Sequence, residues 1–421
     1  MSLTVRLRPF KTRLLLLLAV VGPGIITANV DNDAGGIATY SIAGAHYGVS
    51  LLWMMPLVAL ALIIIQEMSA RLGVVSGKGL SSLIRESLGV RVTVIILGIL
   101  LIANLANTVS EFAGVAASME IFGVSKYISV PIAAVIVWLL IVKGNYKTVE
   151  RVFLAASAIY LAYVISGMLA KPDWQAISLA SIHPSFHLDA GYLTIAVTII
   201  GTTIAPWMQF YQQSSIADKG LKPADISFER VDVVIGSIFA VLVASFITIA
   251  CASTLFKEGV TITSAKDAAL ALGPLAGKYA EILFAIGLLN ASIFSAAILP
   301  LSTAYVICEA FGWEAAVNRA WHEAPVFFSI YTGLIVVGAA IILLPIKSLV
   351  QAMISSQTLN GVLLPVILVV MLRLINDKRI MGKYTNRLIL NIINWVVVAI
   401  LILLTILLII ATVFPAWLAH L

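Results

Sequence analysis

Acidic and amide side chains interrupt the first long apolar run of the chain. Residues 22–36 read GPGIITANVDNDAGG, within an apolar run over residues 14–45. That run is long enough to cross a bilayer, which takes about 20 apolar residues. A carboxylate at this depth costs at least ~2.5 kcal/mol, so Asp31 and Asp33 are expected to face a cavity or a partner. The stretch predicts a cation site at a broken helix; the alternative is a kinked structural helix whose aspartate is satisfied by its neighbours.

The backbone of this stretch is suited to leaving the helix. Gly35 and Gly36 allow it to unwind and to turn carbonyl groups toward a ligand. A second apolar run is interrupted at residues 202–206, TTIAP, where Pro206 removes a helix hydrogen bond. The two interruptions fall in the first and sixth predicted spans, which head two sets of five. Because five is an odd number, the second set starts on the opposite side of the membrane and is inverted relative to the first. Many transporters bind their substrate between such inverted repeats.

Two other predicted spans carry polar side chains at depth. Glu111 lies well inside the third span, where it is a candidate second acid of an ion pathway or a carboxyl group neutralised by burial. Gln357 in the tenth span offers a neutral carbonyl ligand. Alternatively, it joins helices through side-chain hydrogen bonds, which are worth about 0.6 kcal/mol each in membranes.

The donor atoms available at both interruptions are oxygens. Residues 21–36 and 201–206 contain no Met, His or Cys, and all five histidines lie in predicted loops or at the terminus. Hard oxygen donors suit Mg²⁺, Ca²⁺ and Mn²⁺ better than softer metals. The positions of the histidines also exclude a histidine proton relay inside the spans.

The composition is that of a membrane protein with many spans. Of the 421 residues, 61% are hydrophobic and 11% are charged, whereas soluble domains carry about 25% charged residues. The net charge of +6 is explained by basic cytoplasmic loops, and no nucleic-acid partner is expected.

Eleven spans are predicted, at residues 14–44, 50–72, 92–121, 127–143, 149–170, 191–215, 228–256, 272–309, 325–344, 348–374 and 390–415. The segment 171–190 between the fifth and sixth spans has polar and proline signals without periodicity and is predicted to be a connector.

The distribution of basic residues predicts the orientation. With the N-terminus inside, 20 of the 26 Lys and Arg residues fall in segments on the inner side of the membrane. Cytoplasmic loops of membrane proteins carry such an excess. The N-terminus is therefore expected in the cytoplasm and the C-terminus outside.

These residues resemble the NRAMP family of divalent-metal transporters, nearly end to end. Gly22-Pro23-Gly24 and then Asp33-Ala34-Gly35-Gly36 are similar to the family's GPG and DPGN in the first span. Further similar segments are Ala43-Gly44-Ala45 to Gly77, Glu111-Phe112-Ala113-Gly114 (EVIG in the family), Ser356-Gln357 with Leu364-Pro365, and Asn376-Asp377-Lys378-Arg379. The resemblance implies an all-α, LeuT-type five-plus-five inverted repeat with an eleventh helix and with helices 1 and 6 broken in mid-membrane. The repeats would be residues 14–170 and 191–374, and the added helix residues 390–415.

The chain departs from the family at positions that would hold the metal. Asp33 is retained, but the family's asparagine ligand is Gly36 and its methionine ligand is Ala205. The histidine after that methionine is Trp207, and a second family histidine is Gln212. The ninth span, 325–344, contains no Arg, although the family's proton route uses one there. This pattern resembles the NRAMP-related magnesium transporters, a prokaryotic branch that is not proton-coupled.

The expected function is alternating-access transport of partly hydrated Mg²⁺, and also Mn²⁺, across a bacterial inner membrane without proton coupling. Asp33 would ligate the ion, the Thr202 carbonyl would add an oxygen and Gln357 would close the shell. Glu111 would add negative potential, and Gly36 and Ala205 would leave room. The ion is the substrate, no cofactor is expected, and the carrier would work as a monomer in the lipid bilayer.

Three other functions are considered. The first is proton-coupled Mn²⁺ or Fe²⁺ transport, which methionine and histidine at positions 205 and 207 would have favoured. The second is sodium-coupled transport of an organic solute, which the same fold supports. The third is a receptor or scaffold, although a scaffold has no need of acids at mid-membrane. An enzyme is not expected, because the sequence has no phosphate-binding loop, nucleophile elbow or metalloprotease helix.

Overall fold

The computed structural model describes residues 30–143, 157–187, 189–315 and 321–413. These residues form α-helices with short 3₁₀ and π turns, and no strand occurs among them. The helices are α1 (Ala34–Tyr47), α2 (Met54–Ser76), α3 (Leu80–Ile121), α4 (Lys126–Val142), α5 (Leu161–Leu169), α6 (Trp174–Ile182), α7 (Ala190–Thr203), α8 (Pro206–Asp218), α9 (Ile226–Cys251), α10 (Ala265–Ala269), α11 (Gly273–Ala276), α12 (Ala280–Phe311), α13 (Pro325–Leu343), α14 (Leu349–Asn376), α15 (Lys378–Met381) and α16 (Leu388–Val413).

Most predicted spans correspond to observed helices. Within the described residues, eight helices are long and apolar enough to cross a membrane, and α4 adds a shorter apolar helix of 17 residues. Most of the first predicted span and the start of the fifth lie outside the described residues. The bounds 14–170, 191–374 and 390–415 stay predictions.

The predicted start of the third span lies close to a kink in α3. The span was expected from residue 92, and α3, which begins at Leu80, is interrupted at Gly89 (φ 80°, ψ 169°), so its longer segment starts just after that residue. One prediction about helix extent needs correction. The segment 171–190 was expected to be a connector, yet it contains α6. Asp173 caps α6 by accepting hydrogen bonds of 3.0 Å from the amides of Gln175 and Ala176. Nine residues are too few for a clear periodic pattern, so this helix could not be predicted from periodicity.

Small residues bring the central helices into backbone contact. A Cβ atom on Gly201 of α7 would collide with the backbone of Gln357 and Gly361 on α14. A Cβ atom on Gly361 would in turn collide with the carbonyl oxygen of Val197. Close approach through small residues is typical of membrane helices, where packing drives association. It brings Gln357 beside the break between α7 and α8.

A cavity of about 1160 Å³ opens at the face predicted to be external. Its wall includes Ile42 of α1, Ile195 of α7 and Ile354 of α14. Ile354 lies three residues before Gln357, a rise of about 4.5 Å along a helix. The cavity therefore approaches the middle of the molecule from that face.

At the opposite face, polar contacts join α3, α8 and α12. The carboxylate of Glu309 at the end of α12 accepts hydrogen bonds from Ser81 Oγ at 3.1 Å and Ser214 Oγ at 2.8 Å. A Cβ atom on Gly79, the residue before α3, would collide with this carboxylate. The contacts hold three helix ends together on the predicted cytoplasmic side.

Candidate functional site

Asp33 caps α1 at the centre of the molecule. Residues 30 and 31 are helical, residues 32 and 33 form a turn, and α1 begins at Ala34. The Asp33 carboxylate is buried and accepts a hydrogen bond of 2.6 Å from the amide of Gly36. An aspartate is a favoured N-cap because its carboxylate oxygen accepts a hydrogen bond from a backbone N–H of the first turn, which has no acceptor within the helix. The interruption predicted between residues 29 and 36 is therefore a helix start with its acid held inward.

Three oxygen atoms converge beside Gly36. The position that a Cβ atom would occupy on Gly36 lies 2.7 Å from the Asp31 carbonyl oxygen, 3.2 Å from Thr202 Oγ1 and 3.4 Å from Asp33 Oδ1. The three atoms belong to a backbone carbonyl, a hydroxyl and a carboxylate. We call this position the oxygen cradle. A side chain at residue 36 would fill it, so the missing side chain leaves a small polar cradle and not an open hollow.

The second interruption supplies one of these oxygens. α7 ends at Thr203, Ile204 and Ala205 leave helical geometry, and α8 begins at Pro206. Pro206 has no N–H, so the carbonyl of Thr202 cannot receive the usual helical bond from the residue four positions on. The Thr202 hydroxyl accepts no hydrogen bond from the described residues. Thr202 thus presents two oxygens at the break, while Ala205 contributes only a methyl group.

Gln357 contacts the Asp33 carboxylate directly. Its Nε2 atom donates to Oδ1 at 3.3 Å and to Oδ2 at 3.2 Å. The Oε1 atom of Gln357 accepts from Asn360 Nδ2 at 2.8 Å, and Asn360 is paired with Asn107 of α3. This chain of amides fixes the amide group so that its nitrogen, and not its oxygen, points at Asp33. Gln357 therefore positions the carboxylate, and serving as a carbonyl ligand would require its amide to rotate.

Glu111 lies on the other side of the Asp33 turn. It is fully buried, and its Oε2 atom accepts from the amide of Ala34 at 3.3 Å. Its Oε1 atom has no hydrogen-bond partner among the described residues. A Cβ atom on Gly114, one turn further along α3, would touch Ala34 Cβ, which shows how closely α3 approaches α1 here. Glu111 therefore adds a second carboxyl group within the same buried region.

The structure brings together five of the six residues predicted for the site, in different roles, while Ala205 lies at the helix break three residues after Thr202. Asp33, Gly36 and Thr202 form or border the oxygen cradle, and Gln357 and Glu111 contact the turn that carries Asp33. Tyr160 was not predicted, but its hydroxyl donates to the Asn32 carbonyl at 2.8 Å. A tyrosine in an apolar run looks like a packing residue, so the sequence carried no signal of this contact.

The donor set fits a hard cation. Each carboxylate oxygen has two lone pairs, so Asp33 Oδ2 can accept from Gln357 and still bind an ion. Among the described residues no group of three or more His, Cys, Asp and Glu side chains forms a metal cluster. Any ion here would rely on carboxylate, hydroxyl and backbone oxygens, which suit Mg²⁺, Ca²⁺ or Mn²⁺.

Comparison with protein families identifies the group to which this molecule is related. Residues 24–411 match the model of the natural resistance-associated macrophage protein-like family, Nramp. The chain belongs to the Nramp family. The match covers both interruptions and all six residues predicted for the site.

Nramp relatives share about a quarter of their residues with this chain. The divalent metal cation transporter MntH of Bacillus subtilis is 26% identical over 413 residues, covering 94% of this chain and 93% of the relative. MntH of Acidiphilium cryptum is 26% identical over 383 residues, covering 88% of this chain and 85% of the relative. Both are similar to it over most of their length.

Solved structures show the same fold. The manganese transporter of Eremococcus coleocola superposes with a TM-score of 0.75 at 22% identity, covering 95% of this chain and 87% of the other. Mhp1, a nucleobase-cation-symport-1 family transporter, superposes with a TM-score of 0.60 at 14% identity, covering 95% and 93%. This Nramp protein therefore has the LeuT-type fold of inverted five-helix repeats with an added helix, and it crosses the membrane several times.

Proposed function

We propose that this Nramp protein transports divalent metal cations by alternating access, with Mg²⁺ as its main substrate and Mn²⁺ as a second one. Relatives named divalent metal cation transporter support the class of substrate. The observation that carries the proposal is the oxygen cradle beside Gly36, whose three nearest atoms are all oxygens.

The preference for Mg²⁺ rests on what the site lacks. A thioether ligand favours softer transition metals, and Ala205 has none to offer. The three oxygens lie 2.7 to 3.4 Å from the Cβ position at Gly36, whereas a direct Mg²⁺–oxygen bond measures about 2.0–2.1 Å. Mg²⁺ loses water reluctantly and usually keeps several water ligands in proteins. The two nearer distances match hydrogen bonds to a water oxygen, so the small cradle suits one of the waters that a partly hydrated ion keeps.

The absence of proton coupling is proposed from the residues around α8. An imidazole titrates near neutral pH and is the usual proton carrier in such a position. This chain has Trp207 and Gln212 at the positions where the family has histidines, and neither an indole nor an amide titrates near neutral pH. The Glu111 carboxyl group remains near the site and is assigned an electrostatic role.

The direction of transport follows from the faces of the molecule. We place the cavity of about 1160 Å³ outside and the Glu309 contacts inside, as the charge bias of the loops predicts. An ion would enter through the cavity, bind at Asp33 and leave after the inner contacts open. We propose a bacterial inner membrane as the location and a monomer as the working unit.

Ion flux in proteoliposomes tests the proposal. We expect Mg²⁺ uptake, reported by an internal Mg²⁺ dye, with no accompanying change of an internal pH dye. Asp33→Ala should abolish uptake, and empty liposomes provide the background. Selective Mn²⁺ uptake coupled to acidification would contradict the proposal and support the proton-coupled alternative. Uptake of an organic solute with sodium, and no metal flux, would support the second alternative.

A further inference from the structure

A second buried carboxylate lies in the turn before α1. Asp31 is 3% exposed and stands two residues before Asp33. Asp33 accepts hydrogen bonds from Gly36 and Gln357. By contrast, neither oxygen of Asp31 has a hydrogen-bond partner or an ion-pair partner among the described residues. Among the described residues, therefore, the Asp33 carboxylate has hydrogen-bond partners and the Asp31 carboxylate has none.

A structural role does not explain Asp31. Burying an unpaired carboxylate costs several kcal/mol, and an apolar residue of similar size would avoid that cost. Protonation would remove the charge but leave a hydroxyl that also needs a partner, because both oxygens are unpaired. A buried polar group that has no hydrogen-bond partner in the protein is expected to contact a ligand, an ion or a water.

The surroundings of Asp31 connect it to the oxygen cradle. Its backbone carbonyl is the oxygen nearest to the Cβ position of Gly36, at 2.7 Å. Thr202 Oγ1, another buried oxygen without a hydrogen-bond partner, lies 3.2 Å from the same position. Asp31 thus contributes its backbone carbonyl to the same cradle that the Asp33 carboxylate borders.

We propose that Asp31 is a second acid of the cation site, which holds the ion through the ion's water ligands and so selects strongly hydrated divalent cations. The inference rests on the proposed transport at Asp33. Asp33 and the oxygen cradle supply only a few ligands, whereas Mg²⁺ takes six. The remaining waters need acceptors, and the Asp31 carboxylate, the Thr202 hydroxyl and Glu111 Oε1 are nearby oxygens with no hydrogen-bond partner among the described residues.

Two carboxylates also match the charge of the substrate. Asp31 and Asp33 together offer two negative charges to an ion that carries two positive ones. Removing the Asp31 charge should therefore weaken binding of a hydrated divalent ion. The loss should be larger for Mg²⁺ than for Mn²⁺, because Mg²⁺ keeps its waters more firmly and depends more on acceptors for them.

Asp31→Asn tests the inference with little change in shape. Isothermal titration should show Mg²⁺ binding at least tenfold weaker than in the wild type, with a smaller change for Mn²⁺. Asp173→Asn, at the exposed N-cap of α6, is the matched control and should leave the binding of both ions unchanged. Equal Mg²⁺ affinity in Asp31→Asn and wild type would overturn the inference.

A probe that cannot lose its ligands tests the water-mediated contact directly. Cobalt(III) hexaammine resembles hydrated Mg²⁺ but binds only through its outer shell. It should compete with Mg²⁺ for the wild-type protein, and at least tenfold less well for Asp31→Asn. Equally strong competition for the wild type and for Asp31→Asn would overturn the inference.

Failure of the inference and failure of the proposed function give different results. If Asp33→Ala abolishes Mg²⁺ binding while Asp31→Asn leaves it unchanged, the function stands and the role of Asp31 does not. If Asp33→Ala still binds Mg²⁺ as the wild type does, the proposed site itself is wrong, and the role of Asp31 at that site is wrong with it.

Discussion

At the scale of single residues, the site depends on an absent side chain. Gly36 leaves a position bordered by three oxygens at 2.7 to 3.4 Å. Gly36→Ala would place a methyl group there, displace the ion or its water, and force the nearby carbonyl to move. We expect Mg²⁺ binding measured by titration calorimetry to fall by at least tenfold.

The control for this change is another helical glycine. Gly98 of α3 has open space where a Cβ atom would be added. Gly98→Ala should keep full Mg²⁺ affinity and raise stability slightly, since glycine in a helix costs about 0.5–1 kcal/mol relative to alanine. Unchanged affinity in Gly36→Ala would show that the ion binds elsewhere.

Gln357 is predicted to act by holding Asp33 in place. Gln357→Leu keeps the approximate size of the side chain but removes the two contacts of its Nε2 atom with the carboxylate, at 3.3 and 3.2 Å. It also removes one of the two acceptors of Asn360 Nδ2, leaving only Asn107 Oδ1. We expect Mg²⁺ uptake to fall by at least fivefold in proteoliposomes. Gln351→Leu, an exposed position on the same helix, should retain most of the activity, and equal loss in both variants would indicate general damage to α14.

At the scale of helices, the break between α7 and α8 depends on a proline. Pro206→Ala restores an N–H that can bond to the Thr202 carbonyl and continue the helix. A continuous helix would withdraw that oxygen from the site, so we expect uptake to fall strongly while the protein stays folded. Pro131→Ala, inside the exposed part of α4, removes a helical proline far from the site. Normal uptake in Pro206→Ala would show that the freed carbonyl is not needed.

A second prediction at this scale concerns the helix ends joined by Glu309. Glu309→Ala removes the acceptor of Ser81 and Ser214, which lie at 3.1 and 2.8 Å. We expect the predicted cytoplasmic side to open more often, which would expose a cysteine placed at Gln212 to thiol reagents. The experiment uses a background in which Cys251 and Cys308 are replaced, so that only the cysteine at position 212 reacts. In that background, Glu309→Ala should raise the rate at which the thiol reagent reacts. Glu86→Ala, which breaks only an exposed pair with Lys78, is the control; equal rates in both would contradict the role of Glu309.

The helices also show what can and cannot be predicted from sequence. Apolar runs and the proline at position 206 predicted the long helices and both breaks, because the cost of polar groups in lipid leaves few other arrangements. The short helix α6 was missed, since nine residues carry little periodic signal. The orientation of the Gln357 amide could not be predicted either, because it is set by Asn360 and Asn107, which meet Gln357 only in the folded molecule.

At the scale of the whole molecule, the driving force should be the membrane potential. An ion with two charges that crosses alone gains about 4.6 kcal/mol across 100 mV, at roughly 2.3 kcal/mol per charge. That energy supports an ion gradient of roughly three orders of magnitude, at 1.36 kcal/mol for each factor of ten. A proton gradient would add nothing if no proton moves with the ion.

This prediction separates electrical from proton-driven transport in one set of liposomes. A potassium gradient with valinomycin sets the potential, and uptake of Mg²⁺ should increase with inside-negative potential and fall, when the potential is removed, to the rate that the Mg²⁺ gradient alone drives. An imposed pH gradient at zero potential should leave uptake unchanged, because Gln212 and Trp207 cannot carry a proton between the faces. Uptake that follows the pH gradient and ignores the potential would mean that Glu111, the remaining buried carboxyl group beside the site, carries protons despite the missing histidines.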